Sequence, residues 1–290
     1  MLRTAALLLA VSCLSACELA APRTSTPPVT AGGSSAAPRI DEEVTTPQRG
    51  RSEWTRNRDF ENVPAAHVKT LSIRCGEGPL RVEGTTSGTL EVRSVIWAWA
   101  ENPAESERIC REVEVSLQST ETENPVLVVS EPVLGAGGRS YQVDLVVQVP
   151  AGVAVSIVDG GGAIDVSALD RGVRIENASG PVMIRRVRGG IDLLNQGGPT
   201  EVTEVSGRIQ IRDAGSALLV TMADGEIDVT DSGGKLSIQH VTGTVTARGN
   251  RDGIDLLNID GHAMLYGIPA DTAHSSFKGV GNLSLQASED

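Results

Sequence analysis

Large rings are nearly missing from this sequence: three Trp, two Tyr and two Phe occur in 290 residues. Aromatic side chains fill much of an ordinary globular core, so any core built here is thin and aliphatic. Cysteine is also sparse. Four are present, with no Cys-x-x-Cys spacing, and His67, His240, His262 and His274 are scattered, which argues against a zinc site. No phosphate loop, dinucleotide fingerprint or His-Glu-x-x-His occurs, so the usual nucleotide-dependent and zinc-hydrolase chemistries have no foothold. No apolar run approaches the roughly 20 residues that a membrane-spanning helix needs. Basic residues are outnumbered 25 to 37, for a net charge of −12. Nucleic acid is therefore excluded as a partner, because phosphate neutralisation needs Lys and Arg. Anionic headgroups would repel the chain, and its acidity serves solubility.

What is present begins at the N-terminus. Met1-Leu2-Arg3, an apolar run over residues 4–11 and Leu14-Ser15-Ala16-Cys17 form a short secretory signal. Leu-Ser-Ala-Cys resembles the bacterial lipobox. The resemblance implies a signal peptide over 1–16, cleavage before Cys17, and lipidation of Cys17 by acyl chains such as palmitate. Each buried CH₂ of such an anchor contributes about 0.8 kcal/mol. Glu18 in the next position implies sorting to the outer membrane, by resemblance to enterobacterial lipoproteins. Loss of Arg3 with the signal leaves 24 basic against 37 acidic residues. Cys13 leaves as well, so Cys75 and Cys110 remain as an even pair in an oxidising compartment. They are expected to form a disulfide, with two separate thiols as the alternative.

Residues 17–62 read as a Pro/Ser/Thr-rich disordered tether, with Pro22, Pro27, Pro28, Pro38 and Pro47 and no apolar periodicity. Residues 63–150 read as a small β-rich cap. Short alternating stretches at 68–73, 80–82, 90–92, 126–129 and 143–149 predict strands, and Asn102-Pro103 starts one short helix. Trp97 and Trp99 flank Ala98 and so share one face of a strand. They mark either local core, the ordinary reading, or a binding surface.

Residues 151–290 decide the fold. Gly occurs at 162, 180, 189, 198, 207, 225, 234, 243 and 261, always at intervals of nine or a multiple of nine. Two and four places after each turn stand aliphatic pairs such as Val182/Ile184, Ile191/Leu193, Ile209/Ile211 and Ile227/Val229; one unit departs, with Thr200 before Val202. Seven places after the turn, apolar Leu169, Val187, Val205, Ala223, Val241 and Ile259 alternate with small or polar residues. The true period is therefore 18, two strand-turn units of nine. The chain is predicted to be all-β, a parallel β-solenoid of six coils across 162–269 that is capped by 63–150 and closed near His274–Leu285. Ile191, Ile209 and Ile227 should occupy consecutive layers of one interior wall.

The outward ladders are not uniform. One carries Arg174, Asp192, Gln210, Asp228, Thr246 and Met264; the other carries Asp165, Met183, Glu201, Leu219, Ser237 and Asp255. Arg174 and Asp192 are expected to pair across one coil. Asp192 and Asp228 share a face two coils apart, but Gln210 between them and the flat site do not make a glycosidase dyad. The Gly-Gly-x-Gly-x-Asp calcium roll is out of register here. No catalytic, cofactor or metal residues are expected.

Val146-Val-Gln-Val-Pro-Ala-Gly152, followed by turns such as Val205-Ser-Gly207 and Val241-Thr-Gly243, resembles a bacterial family of unknown function named for adhesion from its shape. The likeness covers about residues 65–290 and is similar in style to the heads of autotransporter adhesins. It implies a β-solenoid and an adhesin-like interaction or scaffold role in the cell envelope. The membrane, through the lipid, and an envelope protein or glycan are the partners it implies, without any small-molecule substrate. A structural or sensory component beside another membrane protein and a polysaccharide-active enzyme are the alternatives.

Overall fold

The computed structural model describes residues 42–43, 52–134, 139–231, 233–249, 252–267 and 276–286. Cys17, the signal and most of the tether lie outside them. The chain opens with β1 (Glu42–Glu43), β2 (Ser52–Asn57), β3 (Phe60–Pro64), β4 (Thr70–Glu77), β5 (Leu80–Thr85) and β6 (Thr89–Ala100). Helix α1 (Pro103–Glu112), β7 (Glu114–Gln118), β8 (Val126–Ser130) and β9 (Ser140–Pro150) complete the cap. The solenoid proper runs through β10 (Ala154–Gly161), β11 (Ile164–Ser167), β12 (Val173–Asn177), β13 (Val182–Arg185), β14 (Ile191–Asn195) and β15 (Thr200–Asp213). It ends with β16 (Ala217–Asp231), β17 (Lys235–Arg248), β18 (Ile254–Tyr266) and β19 (Ser276–Gln286).

From β10 to β18 each solenoid rung pairs in parallel with the rung 18 residues on; the last pairing, β18 with β19, is offset by 20 to 21 residues across a register shift. Ile191 aligns with Ile209 and Ile209 with Ile227, all at most 3 % exposed, so the expected interior wall is present. The second wall stacks Ile164, Val182, Thr200, Leu218, Leu236 and Ile254. Burying an aliphatic side chain in such a wall contributes about 1.5–3 kcal/mol. The six coils expected across 162–269 are present, and rungs outside that span bring the column to about seven. β10 lies ahead of Gly162, and β4 and β5 stack beneath β10 and β11, with Leu71 on Val155 and Leu80 on Ile164. The cap thus shares the solenoid's sheets, as expected.

The two corners of a coil differ. One carries Ala168, Arg186, Glu204, Met222, His240 and Asn258 in the left-handed region, with φ between 52° and 61°, and the apolar residue after each is tucked inward. Placing a non-Gly residue there costs about 1–2 kcal/mol. The burial that follows offsets that cost: Leu169, Val187 and Ile259 are at most 1 % exposed. At the other corner the side chain turned inward is polar, and those residues form the ladder described below.

Three sequence readings are corrected. Residues 52–62 are not tether. β2 pairs antiparallel with β6 and β3 follows it, while Trp54 and Phe60 pack on the core. The signal was there in two of seven aromatics, but the surrounding charge hid the alternation. Cys75 and Cys110 are not bridged. Cys75 sits at a solenoid corner beside Asp159, whereas Cys110 lies on the buried face of α1, its thiol donating to the Ile96 carbonyl at 3.7 Å. β19 extends β18 as the last described rung, and its Leu283 and Leu285 are 38 % and 56 % exposed rather than buried as a closing strand's would be; His274 lies outside the described residues.

Candidate functional site

The helix that backs the cap starts where Asn102 predicts. Its Oδ1 accepts from the Glu105 N–H at 3.0 Å, and Pro103 occupies the first turn. α1 packs on β2 and β6. Trp97 and Trp99 are half-buried, alternating along β6 with the fully buried Ala98 and Ala100. They share one face, as expected, but that face is not the core.

On the solenoid, the outward ladder Asp165, Met183, Glu201, Leu219 and Ser237 runs beside a second column two residues earlier: Ala163, Pro181, Pro199, Ala217 and Lys235. Small and cyclic side chains at that corner leave a groove of about 500 Å³ between the columns. It crosses five rungs, hence about 19 Å at ~4.8 Å per rung. In the sequence both outward ladders are mixed series. The corner column was missed because Ala and Pro carry no chemistry of their own. Its signal was the recurrence of small residues directly after each second turn.

The groove's polar groups are few. Asp165 is held by Arg185 at 2.8 Å and Lys235 is paired with Asp255. Glu201, at the centre between Met183 and Leu219, accepts a long hydrogen bond of 3.4 Å from Thr203 Oγ1 and has no ion-pair partner among the described residues. The groove is therefore apolar with one uncompensated negative charge near its middle.

Inside the solenoid a polar ladder crosses five rungs: Asp159, Asn177, Asn195, Asp213 and Asp231, all at most 4 % exposed. Asn177 Nδ2 donates to Asn195 Oδ1 at 2.8 Å, and Asn195 Nδ2 donates onward to Asp213 Oδ1 at 3.3 Å. The ladder also satisfies corner backbone: Asn177 donates to the Gly180 carbonyl, and Asp213 and Asp231 accept from the N–H groups of Gly215 and Gly233. Thr200, the exception in the repeat, receives the Asn195 amide at 2.9 Å, which explains a hydroxyl in an aliphatic wall. Burial pushes Asp159 up to about 6. It raises Asp213 and Asp231 as well, the latter also through the charges of Asp213 and Asp252. Burial and the neighbouring Asp159 hold the Cys75 thiol well above its ordinary range.

The other expected positions resolve simply. Arg174 Nη1 meets Asp192 Oδ2 at 2.9 Å, as the register requires. Asp228 is engaged by Arg248, so both carboxylates of the spaced pair have cationic partners. His67 contacts the Thr120 carbonyl, and His240 contacts Asn258. Among the described residues no group of three or more His, Cys, Asp or Glu side chains is arranged to hold a metal.

No protein-family model matches the chain, and no curated protein matches it. Among solved structures it is similar to a candidate cell adhesion protein from Clostridium sporogenes, at 10 % identity and TM-score 0.26, covering 87 % of this chain and all of the other. A candidate adhesin from Bacteroides fragilis is 15 % identical with TM-score 0.27, over 80 % of this chain and 97 % of that one. A third, from Parabacteroides merdae, is 10 % identical with TM-score 0.28, over 82 % and 96 %. These likenesses lend no residue, ligand or partner to this chain.

Proposed function

We propose that this chain is a non-catalytic, adhesin-like binding module of the cell envelope, lipid-anchored through Cys17, whose groove holds an extended polypeptide. One observation carries the reading: an apolar channel over five rungs with a single unpaired carboxylate, Glu201, at its centre. About six residues of extended chain fit ~19 Å at ~3.3 Å each. Aliphatic side chains would bury against Met183, Leu219 and the prolines, and one Lys or Arg would answer Glu201. A sugar chain fits this channel poorly, because hydroxyls facing an apolar wall lose their hydrogen bonds to water without replacement. Catalysis has no support in the groove, which lacks a nucleophile–base pair.

Selection of a random heptapeptide library on the purified protein tests the groove. Enriched sequences are expected to flank Lys or Arg with aliphatic residues, Glu201→Lys should turn the preference acidic, and Leu219→Arg should abolish enrichment. Enrichment that ignores both substitutions, or no enrichment, rejects the reading. The anchor has its own test. Mass spectrometry of the mature N-terminus should find acylated Cys17, and an unmodified terminus at any other residue removes the anchor.

A further inference from the structure

The cap carries a second surface, chemically unlike the groove. Of the chain's three Trp, Trp54 packs on the core, while Trp97 and Trp99 lie half-exposed on the outward face of β6. Their rings are parallel within 5°, with centroids 6.3 Å apart. Both are fixed from their polar ends. Trp97 Nε1 donates to Asp144 Oδ2 at 3.2 Å, and Trp99 Nε1 donates to Glu53 Oε2 at 2.9 Å. Gln142 steadies Asp144 by donating to its other oxygen at 2.6 Å. Cross-strand register surrounds the pair with short polar side chains: Thr55 and Gln142 flank Trp97, and Glu53 and Ser140 flank Trp99.

This arrangement does little for folding. The inner walls of the solenoid are aliphatic apart from its polar corner ladder and Thr200, and the face of β6 that stabilises the cap carries Leu90, Val92, Ile96, Ala98 and Ala100. Two large rings left half in water, held rigid by hydrogen bonds to carboxylates, lose little entropy when a ligand covers them. An indole face is electron-rich. It attracts the weakly positive C–H groups on the flat side of a pyranose ring, while carboxylate, amide and hydroxyl groups at the ring's rim take the sugar hydroxyls. The Asp144 carboxylate, held by two neutral donors, places a negative charge at the rim, which repels sulfated or carboxylated glycans. A peptide strand has no equivalent flat face for both indoles.

We propose that Trp97 and Trp99 form a stacking platform for two consecutive units of a neutral polysaccharide. The platform is a site in its own right, separate from the peptide groove.

Affinity gel electrophoresis tests this with soluble β-glucan, galactomannan and dextran as neutral probes and polygalacturonate and alginate as anionic controls. At least one neutral polymer is expected to retard the protein, with no retardation by the anionic ones. The Trp97→Ala/Trp99→Ala protein should lose at least tenfold in apparent affinity at an unchanged melting temperature. Trp97→Phe/Trp99→Tyr guards against a folding defect in the double Ala protein and should recover most of the binding. Leu219→Arg, which disables the groove, should bind polysaccharide normally, so failure of one reading leaves the other standing. The platform is overturned by any one of three results: no neutral polymer retards the protein, the anionic polymers are preferred, or a folded double Ala protein binds as before.

Discussion

Gly225→Ala should destabilise the protein by at least about 3 kcal/mol, more than most single substitutions cost. Gly225 has φ +134°, and a Cβ placed there would lie 2.2 Å from the carbonyl oxygen of Gly207, one coil below. That atom is backbone in a parallel ladder and cannot rotate away. Gly207 is fixed in turn by the pairing of β15 with β16, in which it aligns with Gly225 itself. The substitution therefore either opens the rung or forces a strained dihedral. Gly88 is the matched control, because a Cβ there meets nothing within 4 Å. Gly88→Ala should change stability by no more than about 0.5 kcal/mol. Urea unfolding monitored by circular dichroism measures both. A Gly225→Ala protein within about 1 kcal/mol of the parent would mean that the glycine corners do not set the repeat.

Asp159→Asn should stabilise the protein, and the gain should appear only as pH rises. In the folded chain Asp159 titrates near 6, because burial disfavours its charged form. In the unfolded chain an Asp titrates near 3.9. The folded state therefore holds the proton more tightly. This residue's contribution to stability is greatest below about pH 4 and is lost as pH climbs through about 6. Two pKa units correspond to about 3 kcal/mol as an upper bound, and Asn removes that penalty. It also extends the ladder. Asn177 already donates to Asn195, but Asn177 Oδ1 is buried without a hydrogen-bonding partner. An amide at 159, one rung away in register, would point its Nδ2 at that oxygen. Denaturant midpoints at pH 4 and pH 7.5 should show the variant nearly level with the parent at the first and about 2–3 kcal/mol ahead at the second. Equal gains at both pH values would show that charge burial at 159 is not the cause.

The pattern of glycines and aliphatic pairs made the solenoid legible because each coil repeats one local instruction, so position modulo 18 is enough to place a side chain. Ile191, Ile209 and Ile227 follow directly from it. The polar ladder was hidden in the same count. Asn177, Asn195 and Asp213 stand six places after a turn, on the same strand face as the aliphatic pair, yet their polarity gave no sign of burial. They lie inside because the corner needs side-chain partners for its own N–H and C=O groups. The cap was harder to read. Its strands lack a repeat, so the start of β2 and the fate of Cys75 and Cys110 depended on contacts between segments far apart in sequence. The groove falls between these cases: one wall was visible as a ladder, and the other consisted of residues whose smallness is their role.

Each rung bonds only to its neighbours, and successive rungs meet residue for residue from Val155 to Leu265. Duplicating or deleting one full coil would therefore shift everything beyond it by a single step of ~4.8 Å while leaving every junction but the new one unchanged. The length of the column is then inherited in whole coils. A lineage can lengthen the column by one notch, whereas a slip of one residue within a strand would turn its interior face outward.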